Sequence, residues 1–268
     1  MKIINRAKAM IMNRVFYPYM AAKGWRPGRC TPLEEPYLKA RHGYDGEEPI
    51  QEALKIVMPN SMSSRERLTT LWQQVLHLDR YQIPGDLVEC GVWKGGSVGM
   101  MALAHLRATN GRPTRRLHLF DSFEGLPEPG KLDGEKSISY SGHRTEGNLS
   151  AIGKCVGPLE DVESLLFEKI RYPRELVVFH KGWFQNTINA SLAEPKNIAL
   201  LRLDGDWYES TMVCLNFLYE RVVPGGIVVM DDYGHWEGCK RATDEFIAAL
   251  KQPIYLHHID YTGRYWIK

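Results

Sequence analysis

The chain lacks the cysteine patterns that mark disulfide-rich secreted domains and zinc fingers. Its five cysteines, at positions 30, 90, 155, 214 and 239, are odd in number, scattered, and include no Cys-x-x-Cys pair. Such spacing is typical of free thiols rather than of a disulfide framework or a cysteine-bound metal. Free thiols persist in reducing compartments. We therefore expect a cytoplasmic protein.

The chain also has almost no net charge. Its 34 Lys and Arg residues against 32 Asp and Glu residues leave a formal charge of +2 and a pI near 8.2. Nucleic-acid-binding domains usually carry a concentrated basic face, so this balance argues against nucleic acid and favours a small-molecule partner. A composition of 44% hydrophobic and 25% charged residues in 268 positions is ordinary for one large domain with an appendage.

Acidic residues are missing from the start of the chain, where the first is Glu34 and the preceding segment is basic. Arg14 interrupts its apolar stretch and no convincing cleavage site follows, which argues against a signal peptide or a membrane span. Two interpretations stay open. The segment forms an arm that packs on its own body or on a second subunit of a homo-oligomer, or it forms a basic amphipathic helix that makes peripheral contact with a membrane surface; we favour the arm.

Strand-like and helix-like segments alternate from Leu71 onward, which is typical of a doubly wound α/β fold with a mostly parallel sheet. Five runs predict parallel strands at residues 86–92, 116–123, 176–182, 198–205 and 225–232, and two closing runs at 254–260 and 263–268 predict an antiparallel hairpin. Helices are expected from about residue 97 to 109 and through 241–250. Residues 1–70, with six prolines, are predicted to form a separate N-terminal arm and cap or lid, and residues 71–268 the main domain.

Two acidic pairs follow two of these apolar runs. Asp204 and Asp206 follow the fourth run, and Asp231 and Asp232 follow the fifth. Ligands bind beyond the carboxyl ends of strands in open α/β sheets. If the two strands are neighbours, Asp204, Asp231 and Asp232 can converge on Mg²⁺ or Ca²⁺, which prefer oxygen ligands. The alternative is that the aspartates cap the helices that follow them.

The loop after the first strand, ECGVWKGGSVG, is predicted to hold a small molecule. Gly91, Gly95 and Gly96 free the backbone for a tight turn and a close approach to a ligand, and Ser97 can cap the next helix. The loop contains neither G-x-G-x-x-G nor a P-loop, so a pyrophosphate-binding fingerprint is weak.

Two carboxylates at strand ends indicate which small molecule this is. Glu89 near the end of the first strand would meet a ligand amine and repel a pyrophosphate, and Asp121 at the end of the second is in the usual position for holding ribose hydroxyls. Amine and ribose together describe S-adenosylmethionine. Trp183 and Phe184, after the third strand, could cover the adenine or belong to the core.

Five motifs occur in one order along residues 60–250: PGDLVECGVWKGGS, LHLFDSFEGLP, KGWFQNT, LRLDGDWYES and PGGIVVMDDYG. In this combination the chain resembles the macrocin O-methyltransferase (TylF-type) family of class I S-adenosylmethionine-dependent methyltransferases. The resemblance implies a Rossmann-like seven-stranded sheet, one Mg²⁺, and methylation of a hydroxyl on a sugar or phenolic ring.

By position, the resemblance assigns roles to individual residues. The metal ligands correspond to Asp204, Asp231 and Asp232, and the general base to Asp206. The cofactor loop and the ribose-binding strand end correspond to Glu89, Gly91, Ser97, Asp121 and Ser122.

Two alternatives remain open on the sequence. His235, three residues past Asp232, is the rival base, although a histidine beside Trp236 can equally be a packed loop residue. Two other functions also stay in competition with methyl transfer: an NAD-dependent oxidoreductase, which needs a pyrophosphate-binding loop, and a non-catalytic module attached to membranes through the basic N-terminus.

Overall fold

A computed structural model describes residues 48–188 and 194–268. Its centre is a seven-stranded sheet in the order β3-β2-β1-β4-β5-β7-β6. The first five strands pair in parallel, and β7 runs antiparallel to both β5 and β6. This confirms the predicted seven-stranded, mostly parallel sheet with a C-terminal hairpin. The strands are β1 Asp86–Cys90, β2 Leu117–Asp121, β3 Val177–Lys181, β4 Ile198–Leu203, β5 Val222–Met230, β6 His257–His258 and β7 Arg264–Ile267.

Helices cover both faces of the sheet. They are α1 Glu48–Val57, α2 Arg65–Arg80, α3 Gly96–Ala108, α4 Gly134–Tyr140, α5 Leu159–Glu163, α6 Phe184–Thr187, α7 Tyr208–Leu218 and α8 Glu237–Leu250. Single 3₁₀ turns lie at Met58–Asn60, Arg174–Leu176 and Tyr219–Arg221, and α5 continues into a π turn at Ser164–Lys169. The Oγ of Ser64 accepts a hydrogen bond from the backbone N–H of Arg67 and so caps α2.

The strands supply alternate side chains to two apolar cores, because successive side chains of a strand point to opposite faces. Leu200 packs in the core that contains the buried sides of α1, α2 and α3. The adjacent Leu201 packs in the second core, with Leu215 of α7 and Cys239 of α8. Burial on both faces explains why these strands are continuous hydrophobic runs rather than alternating ones.

The predicted boundary between the N-terminal cap and the main domain, after residue 70, differs from the boundary in the structure. Residues 48–268 form one compact unit, and Ile50, Leu54 and Leu68 are buried in the core beneath the sheet. Residues 48–70 are therefore part of the sheet-containing unit and not a separate cap. The predicted arm or lid otherwise falls on residues 1–47, which lie outside the described residues.

The edge of the sheet at the amino ends of the strands carries a satisfied polar network. The carboxylate of Asp79 accepts hydrogen bonds from His105 Nδ1 and Arg115 Nε, both at 2.7 Å. Arg115 also donates to the carbonyls of Gly85 and Ile83, and Nε2 of His105 accepts from the backbone N–H of Arg115. Burial alone raises the pKa of Asp79, but its bonds to His105 and Arg115 hold it below the usual value. The network fastens α2 and α3 to the start of β2.

A histidine pair joins β2 and β3, with His118 buried and His180 partly exposed. Nδ1 of His118 and Nε2 of His180 are 3.2 Å apart, and the ring of His180 stacks on Phe120 with centroids 4.0 Å apart. Burial, with His118 nearby, lowers the pKa of His180 to about 4. His180 is therefore neutral at physiological pH.

No helix within residues 48–188 and 194–268 is long and apolar enough to cross a membrane.

Candidate active site

One cavity of about 490 Å³ opens at the carboxyl ends of the parallel strands. Its wall is assembled from loops that are far apart in sequence. It includes residues 60–63 before α2, residues 91–97 after β1, residues 121–127 after β2, residues 182–185 after β3, residues 204–206 after β4 and residues 231–236 after β5. Both acidic pairs and the glycine loop thus face the same space, as expected for the carboxyl edge of an open α/β sheet.

Three of the four aspartates form a compact cluster. One carboxylate oxygen each from Asp204, Asp206 and Asp232 lies within 4.8 Å of the others. Burial raises the pKa of Asp206 and of Asp232 well above the usual value, and the neighbouring carboxylates add to this shift. Oδ2 of Asp232 is buried and has no hydrogen-bond partner among residues 48–188 and 194–268. Such a group of oxygens suits a hard divalent cation.

Asp231, which was predicted as a metal ligand, makes different contacts. Its Oδ1 accepts a hydrogen bond from Arg202 Nη2 at 2.5 Å, and its Oδ2 forms an ion pair with Arg67 Nη1. Both oxygens are thus held by guanidinium groups, and Asp206 takes the expected position of Asp231 in the acidic cluster. The strand pattern could not reveal this, because it does not show which way two consecutive side chains turn after a strand ends.

Arg202 on β4 links the acidic residues beneath the cavity. It is 3% exposed, and its guanidinium contacts Oε1 of Glu89 at 2.6 Å and Oδ2 of Asp204 at 3.0 Å. The register that pairs Glu89 with Arg202 explains the first contact.

Glu89 was predicted to meet a ligand amine, yet it is fully buried and is not part of the cavity wall. Its Oε2 has no hydrogen-bond partner, and burial raises its pKa to about 8. Its described ion pair is with Arg202. In this structure Glu89 is therefore the buried partner of Arg202 beneath the site.

The glycine loop is held in place by Asp121. Oδ2 of Asp121 accepts hydrogen bonds from the backbone N–H groups of Val92 and Trp93 at 2.6 and 3.0 Å, and its Oδ1 accepts one from Phe123 at 2.7 Å. Asp121 also lines the cavity. It therefore fixes the loop and can offer remaining acceptor capacity to a ligand.

At Gly91 the glycine loop after β1 passes close to Asp204 in the loop after β4. The φ of Gly91 is +89°, and a Cβ at this position would lie 1.9 Å from the carbonyl oxygen of Asp204. The backbone N–H of Asp204 donates to the carbonyl of Cys90 at 2.8 Å. Only glycine accommodates this crossing, which is made to a neighbouring strand end; the approach of the loop to a ligand stays a prediction.

The other predicted cofactor residues also line the cavity. Ser97 lies in the first turn of α3, with its Oγ 3.4 Å from that of Ser63. Ser122 donates to the carbonyl of Gly125 and accepts from Glu124, which closes the turn after β2. Trp183 lies just before α6. The structure therefore brings Gly91, Ser97, Asp121, Ser122 and Trp183 together in one cavity.

His235 lies in the same wall but both of its ring nitrogens have partners. Nε2 is 3.0 Å from Lys136 Nζ, and Nδ1 is 3.3 Å from the hydroxyl of Tyr261. Burial, together with the positive charges of Lys136 and Arg67, lowers its pKa. The imidazole is therefore neutral and accepts a hydrogen bond from the lysine.

Sequence reasoning missed several residues of the site. Arg202 interrupts an otherwise apolar strand, and a charge in a buried run was the signal that could have identified it. Ser63 and Arg67 precede the predicted domain and carry no such signal. Lys136 and Tyr140, on the cavity wall, belong to a helix of seven residues that shows no regular apolar pattern.

Comparison with known proteins agrees with the fold. The family described as Macrocin-O-methyltransferase (TylF) matches residues 38–268. The Streptomyces olivaceus protein 8-demethyl-8-(2,3-dimethoxy-alpha-L-rhamnosyl)-tetracenomycin-C 4'-O-methyltransferase is 36% identical, with 83% of this chain and 82% of that protein covered. Demethyldecarbamoylnovobiocin O-methyltransferase from Streptomyces niveus is also 36% identical, over 77% of this chain and 75% of its own.

The solved structure of the O-methyltransferase NovP superposes with a TM-score of 0.66 at 34% identity, covering 78% of this chain and 82% of that one. These similarities decide against the oxidoreductase and the non-catalytic module that the sequence left open. The chain belongs to the macrocin O-methyltransferase (TylF) family and is an O-methyltransferase with the fold of the class I S-adenosylmethionine-dependent methyltransferases.

Proposed function

We propose that this protein transfers a methyl group from S-adenosylmethionine to a hydroxyl group of a sugar or phenolic ring in a natural product or glycan, with the help of Mg²⁺. The observation that carries the proposal is the acidic cluster of Asp204, Asp206 and Asp232 beside the glycine loop, in one cavity. The named substrates of the relatives, a rhamnosyl tetracenomycin and a novobiocin precursor, support this acceptor class.

S-adenosylmethionine would bind along the loop after β1. The wall there offers Gly91, Ser97, Asp121, Ser122 and Trp183, which combine an approachable backbone, polar acceptors and one large aromatic surface. Glu89 would act indirectly, through Arg202, and not as a contact of the cofactor amine.

Asp204 and Asp232 would hold the metal ion, with Asp206 adjoining them in the cluster. Their oxygens are close together, and the partnerless Oδ2 of Asp232 is the kind of buried group that a cation satisfies. When bound, Mg²⁺ supplies positive charge that lowers the pKa of an acceptor hydroxyl. We do not assign a ligand role to Asp231, because both of its oxygens are engaged by arginines.

Asp206 is the proposed proton acceptor. Asp204 is paired with Arg202, whereas the side-chain hydrogen bond described for Asp206 is donated to its Oδ1 by Trp236 Nε1. His235 is the weaker candidate since Lys136 already donates to its Nε2. Asp206 also has φ of +53°, and such unusual backbone often occurs at functional sites.

The acceptor would occupy the outer part of the cavity. The wall there presents Met62, Tyr140, Trp236 and Tyr261, with Lys136 at its rim. Three of these are markedly exposed: Met62 is 59%, Tyr261 69% and Tyr140 38% exposed. An apolar, partly aromatic surface of this kind suits the ring of a glycoside or phenol. A homo-oligomer, a cytoplasmic location and the role of residues 1–47 remain predictions.

Methyl transfer can be tested with the purified full chain and cofactor labelled in its methyl group. Rhamnosides, other glycosides and catechols would be offered with Mg²⁺ and with chelator. We expect label on an acceptor oxygen only when divalent metal is present. Calorimetry with S-adenosylmethionine and NAD, performed without acceptor, separates cofactor binding from turnover.

Matched variants test the individual roles. Asp232→Asn, which removes a metal ligand, and Asp206→Asn, which removes the base, should each lower kcat by at least about a hundredfold and bind S-adenosylmethionine like the parent. Glu52→Gln, an exposed substitution on α1, is the control and should keep full activity. Full turnover by chelated parent protein would refute the metal requirement, and full turnover by Asp206→Asn would refute its role as base.

A further inference from the structure

Three side chains from separate parts of the chain meet at the outer part of the cavity. Lys136 lies on α4, His235 in the loop after β5 and Tyr261 in the turn before β7, and all three line the cavity. Nζ of Lys136 is 3.0 Å from Nε2 of His235. Nδ1 of the same ring is 3.3 Å from the hydroxyl oxygen of Tyr261. The three side chains therefore form one chain of hydrogen bonds.

The direction of these hydrogen bonds follows from the chemistry of the groups. A lysine ammonium donates and cannot accept, so Nε2 of His235 accepts and carries no proton. The single proton of the neutral imidazole is then on Nδ1, which donates to the oxygen of Tyr261. The proton of the tyrosine hydroxyl remains for another group. Among residues 48–188 and 194–268, this hydroxyl has no other hydrogen-bond partner.

The backbone holds the loop of the histidine against the turn of the tyrosine. The N–H of Gly234 donates to the carbonyl of Thr262 at 2.9 Å, and a Cβ at Gly234 would lie 2.1 Å from the carbonyl oxygen of Tyr261. Oδ1 of Asp260 accepts the backbone N–H groups of Thr262 and Gly263, at 3.0 and 2.7 Å. The position of Tyr261 is therefore fixed by its turn, although its side chain is exposed.

Lys136 is held in place by further contacts. Its Nζ lies 3.1 Å from the carbonyl oxygen of His235 and 4.7 Å from the ring centroid of Trp236. Asp133, the residue before α4, is buried and accepts the backbone N–H of Tyr208 at 2.6 Å. A carbonyl and an aromatic face both attract a cation, and they keep the ammonium beside the imidazole.

We propose that Lys136 and His235 are positioning residues that orient the hydroxyl of Tyr261 as a hydrogen-bond donor to the methyl acceptor, and that this contact selects among acceptors. The inference rests on the proposed function, because it places the acceptor in the outer cavity. The group contacted is a hydroxyl, ether or carbonyl oxygen other than the oxygen that is methylated. An ammonium group cannot accept this hydrogen bond and is repelled by Lys136, so neutral sugars are preferred to amino sugars at this position.

The contact of Tyr261 is tested by steady-state kinetics of the full chain with Mg²⁺. The acceptor is the one that the parent methylates fastest among rhamnosides, other glycosides and catechols. Tyr261→Phe keeps the ring and removes the donor, so KM for the acceptor should rise about three- to tenfold, the scale of one hydrogen bond. Its kcat and its affinity for S-adenosylmethionine should stay within about twofold of the parent. Tyr255→Phe, at an exposed tyrosine that does not line the cavity, is the control, and equal KM values for the two variants would overturn the proposal.

His235→Leu distinguishes positioning from catalysis. The substitution breaks the chain of hydrogen bonds, so KM for the acceptor should rise as in Tyr261→Phe while kcat is kept. A large fall in kcat at saturating acceptor would make His235 the base and would overturn its positioning role.

A double variant separates orientation of the hydroxyl from charge. Lys136→Met removes both the donor to His235 and a positive charge, and should raise KM about two- to fivefold. In Tyr261→Phe there is no hydroxyl to orient, so adding Lys136→Met should change KM by less than about 1.5-fold. An effect of charge, or a direct contact of the lysine with the acceptor, would persist in full in the double variant and would contradict the proposal. Lys55→Met, at an exposed lysine on α1, is the control.

The position of the imidazole proton is tested without cofactor, metal or acceptor. Long-range ¹H–¹⁵N spectra of the full chain, with ¹⁵N-labelled histidine rings, report which ring nitrogen carries the proton. They are recorded at about pH 8, above the usual pKa of histidine, and His235→Leu identifies the signal. We expect the proton on Nδ1 in the parent and a gain of the Nε2-protonated form in Lys136→Met.

A proton on Nε2 of His235 in the parent would overturn the proposal. Absence of methyl transfer by the parent to every acceptor offered, with the proton on Nδ1, would instead refute the proposed function.

Discussion

The indole Nε1 of Trp236 donates a hydrogen bond to Oδ1 of Asp206 at 2.6 Å. The contact joins the loop after β4 to the residue that precedes α8, and Trp236 is only 5% exposed. Trp236 also packs against Trp207 with ring centroids 5.0 Å apart. The orientation of Asp206, a residue with a left-handed backbone, therefore depends on a tryptophan in another loop.

Replacing Trp236 with phenylalanine should impair turnover more than folding. The ring contact is largely kept, but Asp206 loses a hydrogen bond to a charged group, which is worth about 1.5–3 kcal/mol. We expect kcat to fall about 10- to 100-fold with unchanged binding of S-adenosylmethionine by calorimetry. Trp266→Phe, at a buried indole whose Nε1 has no hydrogen-bond partner, is the control. Equal kcat values for the two variants would contradict this role for Trp236.

Gly91→Ala should disrupt both halves of the site. The added Cβ meets the Asp204 carbonyl at 1.9 Å, and the φ of +89° is itself unfavourable for alanine. Together these should cost about 3 kcal/mol of unfolding free energy and abolish measurable methyl transfer. In Gly111→Ala, where φ is +76° and nothing lies within 4 Å of the new Cβ, only the backbone cost of about 1 kcal/mol applies. Urea unfolding measures the loss of unfolding free energy in each variant. Similar losses in the two would show that the position of Gly91 tolerates a side chain.

Asp79→Asn should reduce stability and leave chemistry intact. It removes the charge that pairs with His105 and Arg115 at the opposite edge of the sheet, and breaking a buried pair from one side costs about 3 kcal/mol. Glu52→Gln, in an exposed pair with Lys55, should cost about 0.5 kcal/mol or less. The KM of the folded Asp79 variant should match that of the parent, and a changed KM would indicate a link to the site.

The same carboxylate predicts a pH effect. Because the folded pKa of Asp79 lies below its usual value, its contribution to stability is present above about pH 4, where the unfolded group is ionised. This contribution is lost as the pH falls through the lower folded pKa. The difference in stability between the parent and Asp79→Asn, measured by urea unfolding, should therefore shrink in strong acid. A difference that stays constant down to pH 2 would argue against the ionised pair.

His180 should make the protein less stable at mildly acidic pH. Its folded pKa is about 4 and its unfolded pKa is near 6.5, so between these values the unfolded chain binds more protons. Stability then falls as the pH drops from about 6.5 to about 4 and does not change through this group above that range. His180→Gln should lose less stability than the parent between pH 7 and pH 5 in urea unfolding. His143→Gln, at an exposed histidine, serves as the control and should behave like the parent.

The sequence was sufficient to predict the sheet because apolar runs of strand length record burial on both faces. Element ends were less accurate. β5 begins at Val222, three residues before the predicted start, and β6 has only two residues instead of seven. The run at 254–260 is apolar enough to suggest a longer strand, but only His257 and His258 pair with β7.

The candidate site was predicted in location and less well in internal contacts. Strand-end positions correctly indicated that the two acidic pairs would meet, since parallel strands end at one edge, but they predicted Asp231 where the cluster contains Asp206. The partners of Asp231 and Glu89 could not be read in the same way. Their guanidinium neighbours come from β4 and from α2, and such pairings depend on three-dimensional register and on which side each carboxylate turns.

The residues that line the cavity are spread along the chain from Asn60 to Thr262. This span limits where the enzyme can be truncated or recombined with a relative. A fragment that starts at residue 71 would lose α1, the Asn60–Ser63 part of the wall and Arg67, and would uncover the apolar side of the remaining sheet. A chimera built to exchange acceptor preference should therefore keep residues 48–70 together with the sheet. Segments around Lys136 and Tyr140, which line the outer cavity without supporting the strands, are the better points for exchange.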